Sequence, residues 1–105
     1  MHVLNIESLV KFSDEKMQKI PLFDSAKYFC DLYCLKPGQE QRIHSHSESD
    51  KIYFVLQGRG KFHIGGEERE LGMGEAVVAR PGEPHGVQNA AGEDLVVLVF
   101  MTPRP

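Results

Sequence analysis

His44 and His46, separated by a single serine, are the pair in this chain best suited to chemistry. On an extended strand, side chains i and i+2 leave the same face, roughly 6.6 Å apart along the chain. Both imidazoles can then converge on one ion held about 2 Å from each nitrogen. An isolated His-x-His is as readily two solvated or hydrogen-bonded histidines, so its surroundings decide its meaning. Other chemistries find less support. No serine, histidine and acid triad is discernible, and Gly58-x-Gly60 leads into no helix whose N-terminus would hold a phosphate. Cys30 and Cys34 fall in an extended segment, where four residues of rise separate their α-carbons by roughly 13 Å. That exceeds the reach of a disulfide, so they read as buried free thiols.

The elements that must position the histidines read as strands. Apart from one helical turn over residues 5–10 capped by Asn5, no spacing of three and four is sustained. Strands are predicted over 18–23, 27–36, 41–46, 50–57, 60–64, 67–71, 76–79, 85–89 and 94–102. Pro37-Gly38, Gly58-Arg59-Gly60, Gly65-Gly66, Gly72-Met73-Gly74, Pro81-Gly82 and Ala91-Gly92 punctuate them. Gly65-Gly66, set between two short runs, predicts a two-residue hairpin of the primed type. Many short strands at such intervals point to an all-β sandwich or barrel. The final run, residues 95–101, is apolar on both faces, which predicts a cover on each side, from a jelly roll or from a second copy.

The 105 residues, 41% of them hydrophobic, suffice for one compact domain, taken as residues 1–105 with a barrel core over about 26–102. A core of this size gains from pairing, and a homodimer is expected. The net charge of −3 is spread among intermingled acids and bases, which argues against nucleic acid as a partner. Residues 1–20 carry neither a charged start with an apolar core nor a long apolar run. No secretory signal or membrane partner is therefore expected, and a cytoplasmic location follows by default.

Around the histidine pair stands a longer string: Gly38, five residues, His44-x-His46, a short acidic stretch, then Ile52-Tyr-Phe-Val-Leu-Gln-Gly58. A second string follows, Gly74-Glu-Ala-Val-Val-Ala-Arg-Pro-Gly82-Glu-Pro-His85, with Asn89 four residues later. Together they resemble the two motifs of the cupin superfamily and span roughly residues 35–100. The resemblance implies a double-stranded β-helix, or jelly-roll, barrel with a short N-terminal extension. It also implies a divalent transition metal held inside by His44, His46 and His85. Manganese, iron, nickel, copper and zinc all suit such a donor set.

Two departures from the family pattern bear on the site. Lys51 stands where the family usually has a glutamate ligand, and an ammonium repels a cation. Asp50, at the shorter of the family's spacings, is the expected fourth ligand, with Glu48 or water as alternatives. Strand parity sets Lys51, Tyr53, Val55 and Gln57 on one face and Asp50, Ile52, Phe54 and Leu56 on the other. Asp50 then reaches an ion only from an irregular turn after residues 47–49. Lys51 reads as an outward salt-bridging residue, its alternative being a desolvated amine of the Schiff-base kind. Arg80 replaces a common proline and reads as a surface ion pair, and Asn89 reads as a structural residue.

Glu40 and Arg42 share the parity of His44 and His46, which predicts that Arg42 lines the cavity and binds an anionic ligand unless Glu40 neutralises it. Tyr53 is expected in the pocket wall. These expectations amount to a metal-binding cupin acting on a small organic, carboxylate-bearing substrate. The reaction stays open between dioxygenase, isomerase and lyase types, and the alternative is a non-catalytic binding or sensing barrel with a structural metal.

Overall fold

The computed structural model describes residues 1–105 and builds them almost wholly from antiparallel strands. In order these are β1 (Gln18–Asp24), β2 (Phe29–Leu35), β3 (Glu40–His44), β4 (Asp50–Gln57), β5 (Arg59–Ile64), β6 (Glu67–Gly72), β7 (Ala76–Ala79), β8 (His85–Gln88) and β9 (Leu95–Thr102). One helical turn, α1 (Ile6–Leu9), precedes them, and the side chain of its cap, Asn5, accepts a hydrogen bond from the Ser8 amide. All nine predicted strands are present. Gly65 and Gly66 both take positive φ, 56° and 88°, as a primed two-residue turn between β5 and β6 requires.

The strands form a five-stranded sheet, β1-β2-β9-β4-β7, facing a four-stranded sheet, β3-β8-β5-β6. This is a jelly-roll sandwich. Its interior holds Tyr33, Leu35, Tyr53, Val55, Phe62, Leu71, Val87, Leu95, Val97 and Val99, contributed by alternate positions of facing strands. The doubly apolar β9 receives its two covers from different sources. Leu95, Val97, Val99 and Met101 face the interior. On the outer side Val96 packs with Leu22, Cys30, Leu32 and Cys34, against which Ile6, Leu9, Val10 and Phe12 of the N-terminal segment settle. Cys30 and Cys34 are thus buried free thiols. The rest of this outer face is open, with Phe100, Ile52 and Val78 about two-fifths exposed along one register row.

Two features of the strand register differ from expectation and reshape the site. Between Gln41↔Val87 and His44↔His85, β3 carries three steps to two on β8, a β-bulge at Arg42 and Ile43. The extra residue lets both Gln41 and His44 turn inward, so the parity that tied Arg42 to His44 fails. Arg42 and Glu40 are exposed, while Gln41 is buried. The second feature is β4, whose inward residues are Lys51, Tyr53 and Val55. Lys51 is not an outward salt-bridging residue; it is 1% exposed.

Candidate metal centre

Three imidazoles meet at one end of the barrel interior. His44 comes from the last residue of β3, His46 from the turn that follows it, and His85 from the first residue of β8. His44 and His85 are register partners, with ring centroids 4.5 Å apart, and His46 lies 5.0 and 5.5 Å from them. One nitrogen from each lies within 4.8 Å of the other two. Nitrogens about 2 Å from a common ion stand at most about 4 Å apart, so small ring rotations would bring the three onto one ion.

Backbone carbonyls select the tautomers. His44 Nδ1–H donates to the Arg42 carbonyl at 2.8 Å, and His85 Nδ1–H donates to that of Glu83 at 3.0 Å. Both rings therefore present Nε2 as a lone pair, the state a metal ligand needs. His85 Nε2 is buried without any hydrogen-bond partner. A buried acceptor left empty costs about 1–3 kcal/mol, and a cation between the three rings would satisfy it. Burial, eased by the Glu83 carbonyl but reinforced by Lys51 and the other two histidines, pulls His85 down to about 4. Burial and then His44 likewise lower His46. Near neutral pH both rings are unprotonated and ready to ligate. The residues present thus fit a divalent transition metal.

The remaining predicted residues distribute differently. Asp50 does not join the histidines: it lies on the outer parity of β4, where its carboxylate accepts from Arg80 Nε at 3.0 Å. The expectation of Asp50 as fourth ligand is corrected by that pairing, which also makes Arg80 the surface ion pair foreseen for it. Glu48 is exposed on the loop between β3 and β4. Arg42 is corrected as well, because the bulge moves it to an outer groove of about 180 Å³ shared with Glu40, Ile43 and His63. Tyr53 is fully buried, with its ring 6.2 Å from that of His85. Asn89 is structural: its amide donates to the carbonyls of Leu35 and Glu93 and accepts from the Ala91 amide.

Sequence reasoning missed Gln41 and the network it organises. Tyr53 O–H donates to Gln41 Oε1 and Gln41 Nε2 donates to the Tyr33 oxygen, each at 2.8 Å. Lys51 Nζ lies 3.1 Å from the same Tyr33 oxygen, and 5.2 and 5.0 Å from the Tyr33 and Tyr53 ring centroids. Burial, with a contribution from Lys19 and against a pull from Asp31, lowers Lys51 to about 7. Burial raises the Asp31 carboxyl and both phenols. The only sequence signal for this network is the inner parity that Lys51 shares with Tyr53.

Fold and site together define a jelly-roll barrel with a cluster of imidazoles at one end. The cupin domain model matches residues 31–101, and the chain belongs to that family. It superposes on the crystal structure of TT1209 from Thermus thermophilus with a TM-score of 0.97 at 42% identity, covering 100% of both chains. An RmlC-like cupin protein from Desulfovibrio desulfuricans is similar over 100% of this chain and 99% of its own, with a TM-score of 0.88 at 31% identity. Among curated proteins, an oxalate-binding protein of Thermotoga maritima is 29% identical over 85 residues, which are 81% of this chain and 69% of that protein. No helix is long and apolar enough to cross a membrane.

Proposed function

We propose that the chain is a metal-binding cupin whose centre, held by His44, His46 and His85, acts on a small carboxylate-bearing molecule. One observation carries the metal: His85 Nε2 is buried and partnerless, facing two more imidazoles, one of which is also fixed through its Nδ1. A bound divalent ion would supply Lewis acidity and a place for carboxylate oxygens. His44 and His85 are oriented by their carbonyl bonds, and Tyr53 walls the inner side. The ligand class draws on the name of the oxalate-binding relative and on a site in which no carboxylate joins the three histidines. A second reading, a barrel that binds without turnover, is favoured by the same relative. Turnover screening on metal-reconstituted protein against oxalate and related acids separates the two.

The metal is tested by elemental analysis of protein purified in parallel as wild type and as His44→Ala/His46→Ala. About one transition-metal ion per chain is expected in the first, and nearly none in the second. Equal metal content in the two would reject the site.

A further inference from the structure

We propose that Lys51 is an imine-forming amine that condenses with small 2-oxo acids, with the Tyr33 hydroxyl as its proton carrier. The ligand class rests on the small-carboxylate reading above, whereas the amine chemistry does not depend on the metal.

The direction of the hydrogen bonds is the starting point. An amide nitrogen only donates, so the Tyr33 oxygen accepts from Gln41, and Gln41 Oε1 is taken by Tyr53. Lys51 Nζ, which donates to the Tyr33 oxygen at 3.1 Å, is also the one polar neighbour left for the Tyr33 hydrogen once Nζ is deprotonated. The series Tyr53, Gln41, Tyr33, Lys51 closes when Nζ offers a lone pair. Two N–H groups of Lys51 go without acceptors in either state, but an ammonium would leave the Tyr33 hydrogen unpaired as well. The two ring faces temper a charge but give no full hydrogen bond.

The surroundings favour the same state. Lys51 takes part in no ion pair, although five of the chain's other lysines and arginines do. Lys19 on β1, 5.4 Å from the Tyr33 ring, adds a like charge. Asp31 on β2 opposes it, the smaller influence beside burial. Gln41 on β3 is uncharged, and His46 and His85 are held deprotonated on their side of the interior. A desolvated, uncharged lysine at neutral pH is a nucleophile. A 2-oxo acid suits these groups, offering its carbonyl to the amine and its carboxylate to the charge of Lys19.

The condensation balances within these groups. The Nζ lone pair forms the C–N bond while the carbonyl oxygen takes the Tyr33 proton, and one N–H proton returns to the Tyr33 oxygen to give a carbinolamine. Tyr33 next protonates the departing hydroxyl, the C–O bond breaks, and the nitrogen pair forms the C=N bond. The last N–H proton restores Tyr33, so amine and carbonyl yield one imine and one water.

The test incubates metal-stripped and metal-loaded protein with glyoxylate or pyruvate and a borohydride reductant, which adds hydride to the imine carbon and fixes the adduct. Intact mass and peptide mapping should show one adduct per chain, a carboxymethyl group from glyoxylate, on the peptide carrying Lys51. Lys51→Met should lose it. Tyr33→Phe should keep it on Lys51 but form it roughly 100-fold more slowly, as expected when a positioned acid is removed. Oxalate, which lacks a ketone or aldehyde, should compete without labelling. Label scattered over surface lysines, and equal in wild type and Lys51→Met, would overturn the proposal; should that variant not fold, absence of label at Lys51 in the wild-type map does the same. Specific labelling of a protein that takes up no transition metal on reconstitution would reject the metal reading and keep this one, and metal uptake without labelling at Lys51 would do the reverse.

Discussion

The two ends of the barrel interior are built from the same strands and differ in kind. Inner positions along β2 run Asp31, Tyr33, Leu35; along β4, Lys51, Tyr53, Val55; along β8, His85, Val87. Each passes from polar or ionisable to apolar in the same direction. One end closes as a dry core with Leu35, Val55, Leu71, Leu95 and Val97 all buried. The other gathers three imidazoles, an amine, two phenols and an amide, and one imidazole nitrogen there has no partner. Apolar side chains at those positions would spare the fold the desolvation of each polar group. The polar residues on several strands converge at the end where the proposed site lies, and the other end is what holds the strands in register.

Cutting into the dry end should have the largest effect. Leu95→Ala removes a fully buried side chain, and a loss of about 2–5 kcal/mol is expected in urea unfolding, with metal content per folded chain unchanged. A loss below about 1 kcal/mol would mean that this end is not the structural one. The polar end should show itself through pH instead. Lys51 titrates near 7 in the folded chain and at about 10.4 when unfolded. Between those values the unfolded chain binds the extra proton, so stability rises with pH, by about 1.4 kcal/mol per unit at most. Below pH 7 both states are protonated and this contribution is flat. The window from pH 7 to 9 is the cleanest, because the raised thiols of Cys30 and Cys34 act in the opposite sense above it. Lys51→Met should abolish the rise and be more stable than wild type at pH 6; the same slope in both would remove Lys51 from the account. The smallest effect belongs to a residue outside both ends. Asp50→Ala breaks an exposed pair with Arg80, for which about 0.2–1 kcal/mol is expected, with metal retained as in wild type. Metal loss matching that of the histidine variant would return Asp50 to the centre.

Much of this was legible in the sequence, for identifiable reasons. Glycine turns such as Gly65-Gly66 fix where strands end, and all nine strands were readable from them. His44, His46 and His85 were readable because motif and alternation agreed. Which face of β4 points inward was not readable from hydrophobicity: Ile52, Phe54 and Leu56 form its more apolar face, yet Ile52 and Phe54 are 37% and 38% exposed. The bulge at Arg42 and Ile43 was hidden because a one-residue register shift leaves no mark in composition. It reversed the placement of Arg42 and brought in Gln41 unannounced.

That bulge leaves a trace on the strand opposite. A β-carbon at Gly86 would come within 2.8 Å of the Gln41 carbonyl oxygen and 3.0 Å of the Ile43 amide nitrogen, so the extra residue of β3 occupies the room where a side chain on β8 would sit. Insertion and substitution are thereby coupled across the barrel. A chain one residue shorter between the counterparts of Gln41 and His44 would have room for alanine at the counterpart of Gly86, whereas one that keeps the length would be held to glycine. Aligning such sequences by identity alone would slide the gap to either side of the histidines, whereas the glycine opposite says where it belongs.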